Sequence, residues 1–160
     1  MKKNDMIADE IKEREIVVRR RFSAPPSLVY EAWTNPKHVV HWWGPEGFTN
    51  TIHEMDVRPG GVWRFTMHGP GGRDFPNKIT FHEVVKHQRL VYSHGSGEDD
   101  GENDFEVNVT FEGLGDQTEL TMRSIFKTKE ARDFVVKNFG AIEGANQTLS
   151  KLADYLPRIN

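Results

Sequence analysis

The sequence predicts an α+β domain in which an antiparallel sheet of about seven strands is covered by a long C-terminal helix. Short segments between residues 49 and 126 alternate apolar and polar side chains and are separated by Gly- and Pro-rich turns, which is typical of antiparallel strands. From residue 128 onwards, apolar residues recur at helical spacing instead. A sheet with one apolar face needs a cover, and this helix is the only amphipathic segment long enough to provide it.

The first three predicted elements are a strand and two short helices. The segment Glu15–Phe22 is rich in β-branched residues and predicts the first strand. Pro26 stands where the first turn of a helix tolerates proline, and this helix is expected to run through Thr34. Pro36 then interrupts it and begins a second short helix, which is expected to end at about Val40.

Six strands follow these helices and are expected to form a meander. In the clearest of them, Trp63, Phe65 and Met67 fall on one face, and the polar residues between them fall on the other. A glycine-rich connection at residues 69–76 and an acidic loop at residues 95–104 are long enough to act as lids. The predicted strands are Thr49–Val57, Val62–His68, Lys78–Val85, Arg89–His94, Phe105–Glu112 and Thr118–Phe126.

The last predicted element is the covering helix. Thr128 can cap its N-terminus, and Pro157 is expected to end it. Gly140 lies outside the apolar stripe, and a break or kink near it is therefore expected. The apolar stripe consists of Phe134, Ala141, Ile142, Ala145, Leu149, Leu152 and Leu156.

Composition excludes several classes of function. The formal net charge of −3 argues against general nucleic-acid binding, which needs a basic surface. The chain has no cysteine, so disulfides, thiolate metal sites and thiol catalysis are excluded. Its seven histidines show no metal-ligand spacing, and we expect neither a metal nor a cofactor. No apolar run predicts membrane insertion or a signal peptide, so a cytoplasmic protein is expected.

Two tryptophan-containing motifs identify a family resemblance. They are Trp-Trp-Gly-Pro at residues 42–45, within a predicted loop, and Arg-Pro-Gly-Gly-Val-Trp-Arg at residues 58–64. In this order they resemble the family of homologues of the heat-shock chaperone ATPase activator, over about residues 14–156. The resemblance implies a START-like helix-grip fold, in which a curved sheet grips the C-terminal helix. Residues 14–160 are then one domain, and residues 1–13 are expected to form a flexible arm.

A curved sheet and a helix do not fit closely along their whole length, so a cavity of roughly 300–1,000 Å³ is expected between them. The alternative is that the side chains fill this space themselves and bind nothing. Strand alternation and helical spacing indicate which side chains face the gap. The candidate ligand-binding residues are Trp43, Phe48, Trp63, Phe65, Met67, Phe81, Tyr92, His94, Phe105, Val107, Met122, Phe134, Asn138 and Ile142.

Three functions remain open at this point. The first is non-catalytic binding of an apolar or aromatic small molecule, which the superfamily resemblance favours. The second is an enzyme similar to the cyclases and aromatases of the superfamily, with Tyr92, His94 and Glu83 as acid–base candidates. The third is a chaperone-associated interaction protein, which an apolar surface at Trp42 and Trp43 would favour. The expected partner is therefore a hydrophobic small molecule, and a protein partner or a weak homodimer is the alternative.

Overall fold

The computed structural model describes residues 10–97 and 104–159. In this part of the chain, seven antiparallel strands form one sheet in the order β1-β7-β6-β5-β4-β3-β2. Each strand from β2 to β7 pairs with its neighbour in sequence, and β1 returns to pair with β7. The strands are β1 Glu15–Phe22, β2 Thr49–Met55, β3 Val62–His68, β4 Asp74–Val85, β5 Arg89–Gly95, β6 Phe105–Leu114 and β7 Gln117–Ile125.

Four helices follow β1 within the described residues. They are α1 Pro26–Thr34, α2 Pro36–Val39, α3 Lys129–Phe139 and α4 Ala141–Tyr155, with short 3-10 turns at Pro70–Gly72 and Leu156–Arg158. The prediction of a seven-stranded curved sheet, two short helices and a C-terminal helical cover is confirmed. The predicted arm at residues 1–13 falls mostly outside the described residues, and its described part, residues 10–13, is helical. The single-domain assignment stays a prediction.

The fourth strand begins earlier than the sequence predicts. Asp74 pairs with His68 and Phe75 pairs with Met67, so the connection after β3 is shorter than predicted. The predicted strand begins at Lys78, and Pro76 belongs to the predicted connection before it; proline lacks the N–H that a strand ladder uses. In the structure, the pairing continues through this proline. The acidic loop at residues 95–104 lies mostly outside the described residues.

A β-bulge in β4 decides where one candidate acid points. The pairing with β5 shifts its register between Phe81 and Glu83, so the strict alternation of faces is interrupted there. Phe81 is buried, whereas Glu83 is exposed and lies 3.9 Å from the Arg89 guanidinium. Glu83 therefore faces away from the core.

The C-terminal cover is broken into two helices. Gly140 adopts a left-handed conformation (φ 57°, ψ 45°), which ends α3 and begins α4. The break expected near this residue is therefore present, and Thr128 caps α3 by accepting a hydrogen bond from the Ala131 N–H at 3.0 Å. Helix α4 buries Leu149 and Leu152, whereas α3 buries no residue completely. Of these two helices, α4 is therefore the more deeply packed.

The four tryptophans form one continuous cluster in the core. Trp33 contacts Trp42 and Trp43 with ring centroids 5.0 and 5.7 Å apart, and Trp43 contacts Trp63 at 4.8 Å. All four rings are buried, and the Trp42 indole donates to the Ala32 carbonyl at 3.0 Å. The cluster fixes Trp43 above the inner face of the sheet.

No helix in the described residues has both the length and the apolar content needed to cross a membrane.

Candidate ligand-binding pocket

A pocket of about 260 Å³ lies between the inner face of the sheet and the junction of α3 with α4. Strands β1 and β5–β7 supply its floor, and the loop that follows Trp42 supplies one side. The lining residues are Ile16, Val18, Trp43, Gly44, Pro45, Met67, Tyr92, His94, Phe105, Val107, Met122, Ser124, Phe126, Phe139, Gly140, Ala141, Gly144, Ala145 and Thr148. None of these lining residues is Asp, Glu, Lys or Arg, and His94 carries a charge only when its imidazole is protonated.

Part of the candidate set predicted from the sequence lines this pocket. Alternation along β3, β5, β6 and β7 brings these side chains to the same face of the sheet, because the strands pair in regular register there. The predicted residues at the pocket are Trp43, Met67, Tyr92, His94, Phe105, Val107 and Met122.

Three of the predicted aromatic residues lie in a layer behind the pocket wall. Trp63 and Phe65 contact the Trp43 ring, with centroids 4.8 and 6.2 Å away, and Phe81 packs edge-on against Tyr92 at 5.9 Å. Each is almost completely buried. They therefore hold the lining side chains in place and do not themselves reach the pocket space.

The predicted residues on the C-terminal helices also lie away from the pocket. Phe134 is 54% exposed, and the Asn138 amide donates to the Phe134 carbonyl at 3.0 Å. Helix α3 packs on the core through Ala131, Val135 and Val136 instead, which leaves Phe134 on its exposed side. Ile142 packs partly buried against the core. Phe48, in the loop that follows Trp42, does not line the pocket; its ring contacts Phe75, with centroids 6.0 Å apart.

Sequence reasoning missed the contributions of β1 and of the helix junction. Ile16 and Val18 lie on the same face of β1, and the two-residue period of a strand groups them, although the apolar Val17 between them hides the alternation. Their place at the pocket depends on the pairing of β1 with β7, which local patterns do not specify. Phe139 lines the pocket although it is 70% exposed, because it lies at the end of α3 beside Gly140.

His94 is the polar group with the best-defined geometry in the pocket. Its Nε2 lies 2.8 Å from Asn77 Oδ1, and the Asn77 amide nitrogen donates to the Phe75 carbonyl at 3.0 Å. Because the amide nitrogen is used in this way, Oδ1 is the acceptor and the proton of the neutral imidazole is on Nε2. The Nδ1 atom is then a free lone pair with no partner among the described residues, and it is not fully enclosed.

The environment of His94 keeps its imidazole neutral. The Phe105 and Phe65 rings lie 5.0 and 6.0 Å from the imidazole centroid. The ring keeps some accessible surface, but protein surrounds it, and burial therefore lowers the pKa of His94 from 6.5 to about 4. His94 lines the pocket, so the accessible part of its ring can be reached from that space.

Tyr92 supplies a second neutral polar group. Burial raises the pKa of its hydroxyl well above the usual value of 10, and the nearby Trp33 indole opposes this shift. The Trp33 N–H does not reach hydrogen-bond geometry with any group in the described part of the chain. At neutral pH, Tyr92 therefore keeps its proton and can act as a hydrogen-bond donor.

Lys151 of α4 fastens the loop that forms one side of the pocket. Its half-buried ammonium donates to the carbonyls of Gly44, Pro45 and Phe48 at 3.1, 3.3 and 3.4 Å. Burial lowers the pKa of this lysine, and the carboxylate of Glu46 opposes the shift. The three contacts join the loop to the helix across the pocket edge.

Replacement of Lys151 with methionine is expected to lower stability by about 1–2 kcal/mol, because three carbonyls lose a charged donor while the apolar stem is kept. A fall of roughly 5 °C in melting temperature should accompany it. Thermal unfolding followed by circular dichroism measures the effect, with Lys137→Met at an exposed position of α3 as control. Equal melting temperatures for the two variants would contradict the fastening role.

Two further histidine-containing clusters lie on the outer face of the sheet. His68 bonds Asp74 Oδ1 through Nδ1 and Thr51 Oγ1 through Nε2, both at 2.7 Å, and His53 bonds Thr66 at 2.9 Å. In residues 10–97 and 104–159, no group of three His, Asp or Glu side chains is arranged to hold a metal ion. These contacts link neighbouring strands on the solvent side.

A curved antiparallel sheet that packs around a C-terminal helix, with a pocket between them, defines the helix-grip class of START-like proteins. The sequence profile described as activator of Hsp90 ATPase homolog 1-like protein matches residues 23–157. The chain therefore belongs to the family of activator of Hsp90 ATPase homolog 1-like proteins. A comparison with curated proteins found no match.

Solved structures of bacterial proteins share this fold. A protein from Nitrosomonas europaea has a TM-score of 0.81 and 22% identity, with 93% of this chain and 97% of that chain covered. A protein from Arthrobacter aurescens has a TM-score of 0.85 and 21% identity, with coverages of 92% and 88%. The AHSA1 protein from Silicibacter pomeroyi has a TM-score of 0.74 and 21% identity, with coverages of 91% and 99%. At these identities the likeness concerns the fold alone.

Proposed function

We propose that the protein binds a small apolar or aromatic molecule in the pocket between the sheet and the C-terminal helices, and that it holds this molecule without reacting with it. The observation that supports this most is the lining, which is aliphatic and aromatic apart from a few neutral polar groups. A concave apolar site with few polar groups is typical of small-molecule binding. The family assignment is consistent with ligand binding or a regulatory role.

The pocket volume limits the size of the ligand. A volume of about 260 Å³ corresponds to roughly nine water molecules at their share of liquid volume. This is below the range of about 300–1,000 Å³ for sites that take drug-sized compounds. A one- or two-ring molecule fits, whereas a long acyl chain or a multi-ring compound would need the α3–α4 junction to move.

The protonation states favour binding over acid–base catalysis. An efficient general base or acid has a pKa near the working pH. The pKa of His94 is lowered to about 4, and that of Tyr92 is raised above its ordinary value, so both groups stay neutral over the physiological range. Glu83 is exposed at the β4 bulge and cannot serve the pocket. The polar groups can orient a ligand, but they are poorly suited to moving protons.

The burial of Trp42 and Trp43 weakens the interaction-protein alternative. Trp42 is completely buried and Trp43 is 7% exposed, so the surface at these rings offers no apolar patch to a chaperone. Among the described residues, the most exposed large apolar side chains lie elsewhere, at Phe134 and Phe139 on α3. The proposal therefore rests on the pocket.

Filling the pocket is expected to abolish binding without unfolding the protein. Ala145 lines the pocket from α4, and Ala145→Phe places a ring in that space. Asn146→Phe is the matched control, because the neighbouring residue is exposed on the same helix. With naphthalene as probe, the wild type and Asn146→Phe should gain stability, and Ala145→Phe should gain none.

Differential scanning fluorimetry and isothermal titration calorimetry would both measure this. Ligand at about 100 times its dissociation constant should stabilise the folded state by about 2.7 kcal/mol. Circular dichroism would first establish that each variant is folded. A wild type that gains no stability from naphthalene or from 2-naphthol, or an equal gain in Ala145→Phe, would refute the proposed function.

A further inference from the structure

We infer that the pocket selects ligands that carry a hydrogen-bond donor, because the geometry presents the Nδ1 lone pair of His94 as an acceptor to the pocket. The inference rests on the proposed function and names the chemical class of its ligand. That class is a neutral one- or two-ring molecule with one hydroxyl or N–H group, such as a phenol or an indole.

A chain of two hydrogen bonds fixes which nitrogen of His94 accepts. The Phe75 carbonyl takes a proton of the Asn77 amide at 3.0 Å, which leaves Asn77 Oδ1 facing His94 Nε2 at 2.8 Å. A carbonyl oxygen can only accept, so the imidazole proton is held on Nε2. The pairing of β3 with β4 places Asn77 opposite Phe65, and both residues therefore adjoin the imidazole.

The ring is also held in orientation by packing. The Phe105 ring lies 5.0 Å from the imidazole centroid at an interplanar angle of 36°, and the Phe65 ring lies 6.0 Å away. With Nε2 bonded to Asn77 and both rings against the imidazole, His94 cannot turn freely to satisfy Nδ1 elsewhere. Its Nδ1 has no partner in the described part of the chain and is not fully enclosed.

The rest of the pocket explains why this acceptor would dominate selection. The other lining side chains are mainly apolar, and the Thr148 hydroxyl already donates to the Gly144 carbonyl at 2.9 Å. The Tyr92 and Ser124 hydroxyls can each donate or accept, whereas Nδ1 of the neutral imidazole can only accept. An apolar ligand that covers Nδ1 without bonding it would leave a buried acceptor unsatisfied. A site with a buried polar group therefore discriminates against the analogue that lacks the matching group.

Three related probes test the inference. 2-Naphthol carries a donor, 2-methoxynaphthalene replaces the donor proton with a methyl group, and naphthalene removes the oxygen. Calorimetry should show 2-naphthol binding about 10-fold more tightly than either of the others, which corresponds to about one hydrogen bond. Naphthalene lacks the donor and also the bulk of the methoxy group, so weaker binding of naphthalene would be due to the missing donor and not to steric hindrance.

Two variants assign the selectivity to His94. In His94→Phe the preference for 2-naphthol over naphthalene should fall to about 1-fold, because the ring is kept and the acceptor is lost. His82→Phe makes the same change at an exposed histidine on β4 and should keep the 10-fold preference. If His94→Phe fails to fold, nitrogen-15 NMR of the wild-type imidazole gives the same information.

The NMR measurement needs no substitution. The Nδ1 resonance of His94 should have the shift of an unprotonated nitrogen, and it should move with 2-naphthol but not with 2-methoxynaphthalene. Equal affinities for the three probes, or a protonated Nδ1 in the free protein, would overturn this inference and leave the proposed function intact. If none of the probes binds, the proposed function and the inference both fail.

Discussion

Replacement of Gly61 with alanine is expected to destabilise the protein by about 3 kcal/mol, the upper part of the range for overpacked sites. A Cβ atom at this position would lie 2.0 Å from the Asp56 carbonyl oxygen and 3.0 Å from that of Arg58. These neighbours are backbone atoms, so no flexible side chain can move aside. The turn between β2 and β3 would have to open.

Contacts with the next strand oppose such an opening. The Gly60 N–H donates to the Phe81 carbonyl at 2.8 Å, and the Phe81 N–H donates to the Gly61 carbonyl at 2.9 Å. The turn is thus bonded to β4, and Phe81 is buried behind Tyr92. Relief of the clash would break these bonds or displace Phe81, so the effect should reach the pocket wall.

Gly60→Ala provides the matched comparison. Gly60 has a positive φ of 83°, but a Cβ atom on this residue would have no neighbour within 4 Å, so the alanine meets only backbone strain of about 1–2 kcal/mol. Urea unfolding of both variants against the wild type measures the difference. If Gly61→Ala lowers the free energy of unfolding by no more than Gly60→Ala does, close approach of the backbone is not what requires glycine at position 61.

The strands could be predicted from the sequence because their apolar alternation is local. The pattern Trp63, Phe65, Met67 assigns the inner face of β3 without any knowledge of its partners, and the structure keeps that assignment. The Gly- and Pro-rich turns also located most strand ends to within a few residues of their observed positions. The exception is β4, where pairing with β3 overrides the proline at position 76.

The candidate site was harder to predict because its walls come from distant parts of the chain. Ile16 reaches the pocket only because β1 pairs with β7, and Phe139 reaches it only because the chain turns at Gly140. Periodicity treats the C-terminal segment as one helix, so it places Phe134 over the sheet, whereas this ring is 54% exposed. Local sequence patterns assign the apolar face of each strand or helix, whereas the tertiary fold decides which of these faces contact one another.

The polar part of the pocket also depends on a long-range contact. His94 could be assigned to the inner face from alternation alone, but its tautomer depends on Asn77, seventeen positions earlier in the chain. Asn77 lies just after the glycine-rich connection, in a segment that the sequence assigned to no strand. The hydrogen bond between these two residues is what turns a buried histidine into a defined acceptor.

The buried neutral state of His94 should make the protein sensitive to acid. The pKa of this imidazole falls from 6.5 in the unfolded chain to about 4 in the folded protein. Between these values the unfolded chain binds a proton that the folded protein does not bind, so the free energy of unfolding falls as the pH is lowered. The full stability is present above pH 6.5, and about 3 kcal/mol of it is lost by pH 4.

Urea unfolding between pH 8 and pH 4 would measure this dependence for the wild type, His94→Phe and Tyr92→Phe. Carboxylates titrate in the same range, so the informative quantity is the difference between proteins. His94→Phe should lose less stability than the wild type on acidification, by about 3 kcal/mol at pH 4. Tyr92→Phe should follow the wild type, because the Tyr92 hydroxyl keeps its proton throughout. Parallel curves for the wild type and His94→Phe would mean that the imidazole becomes charged in the folded protein, with the pocket open enough to hydrate it.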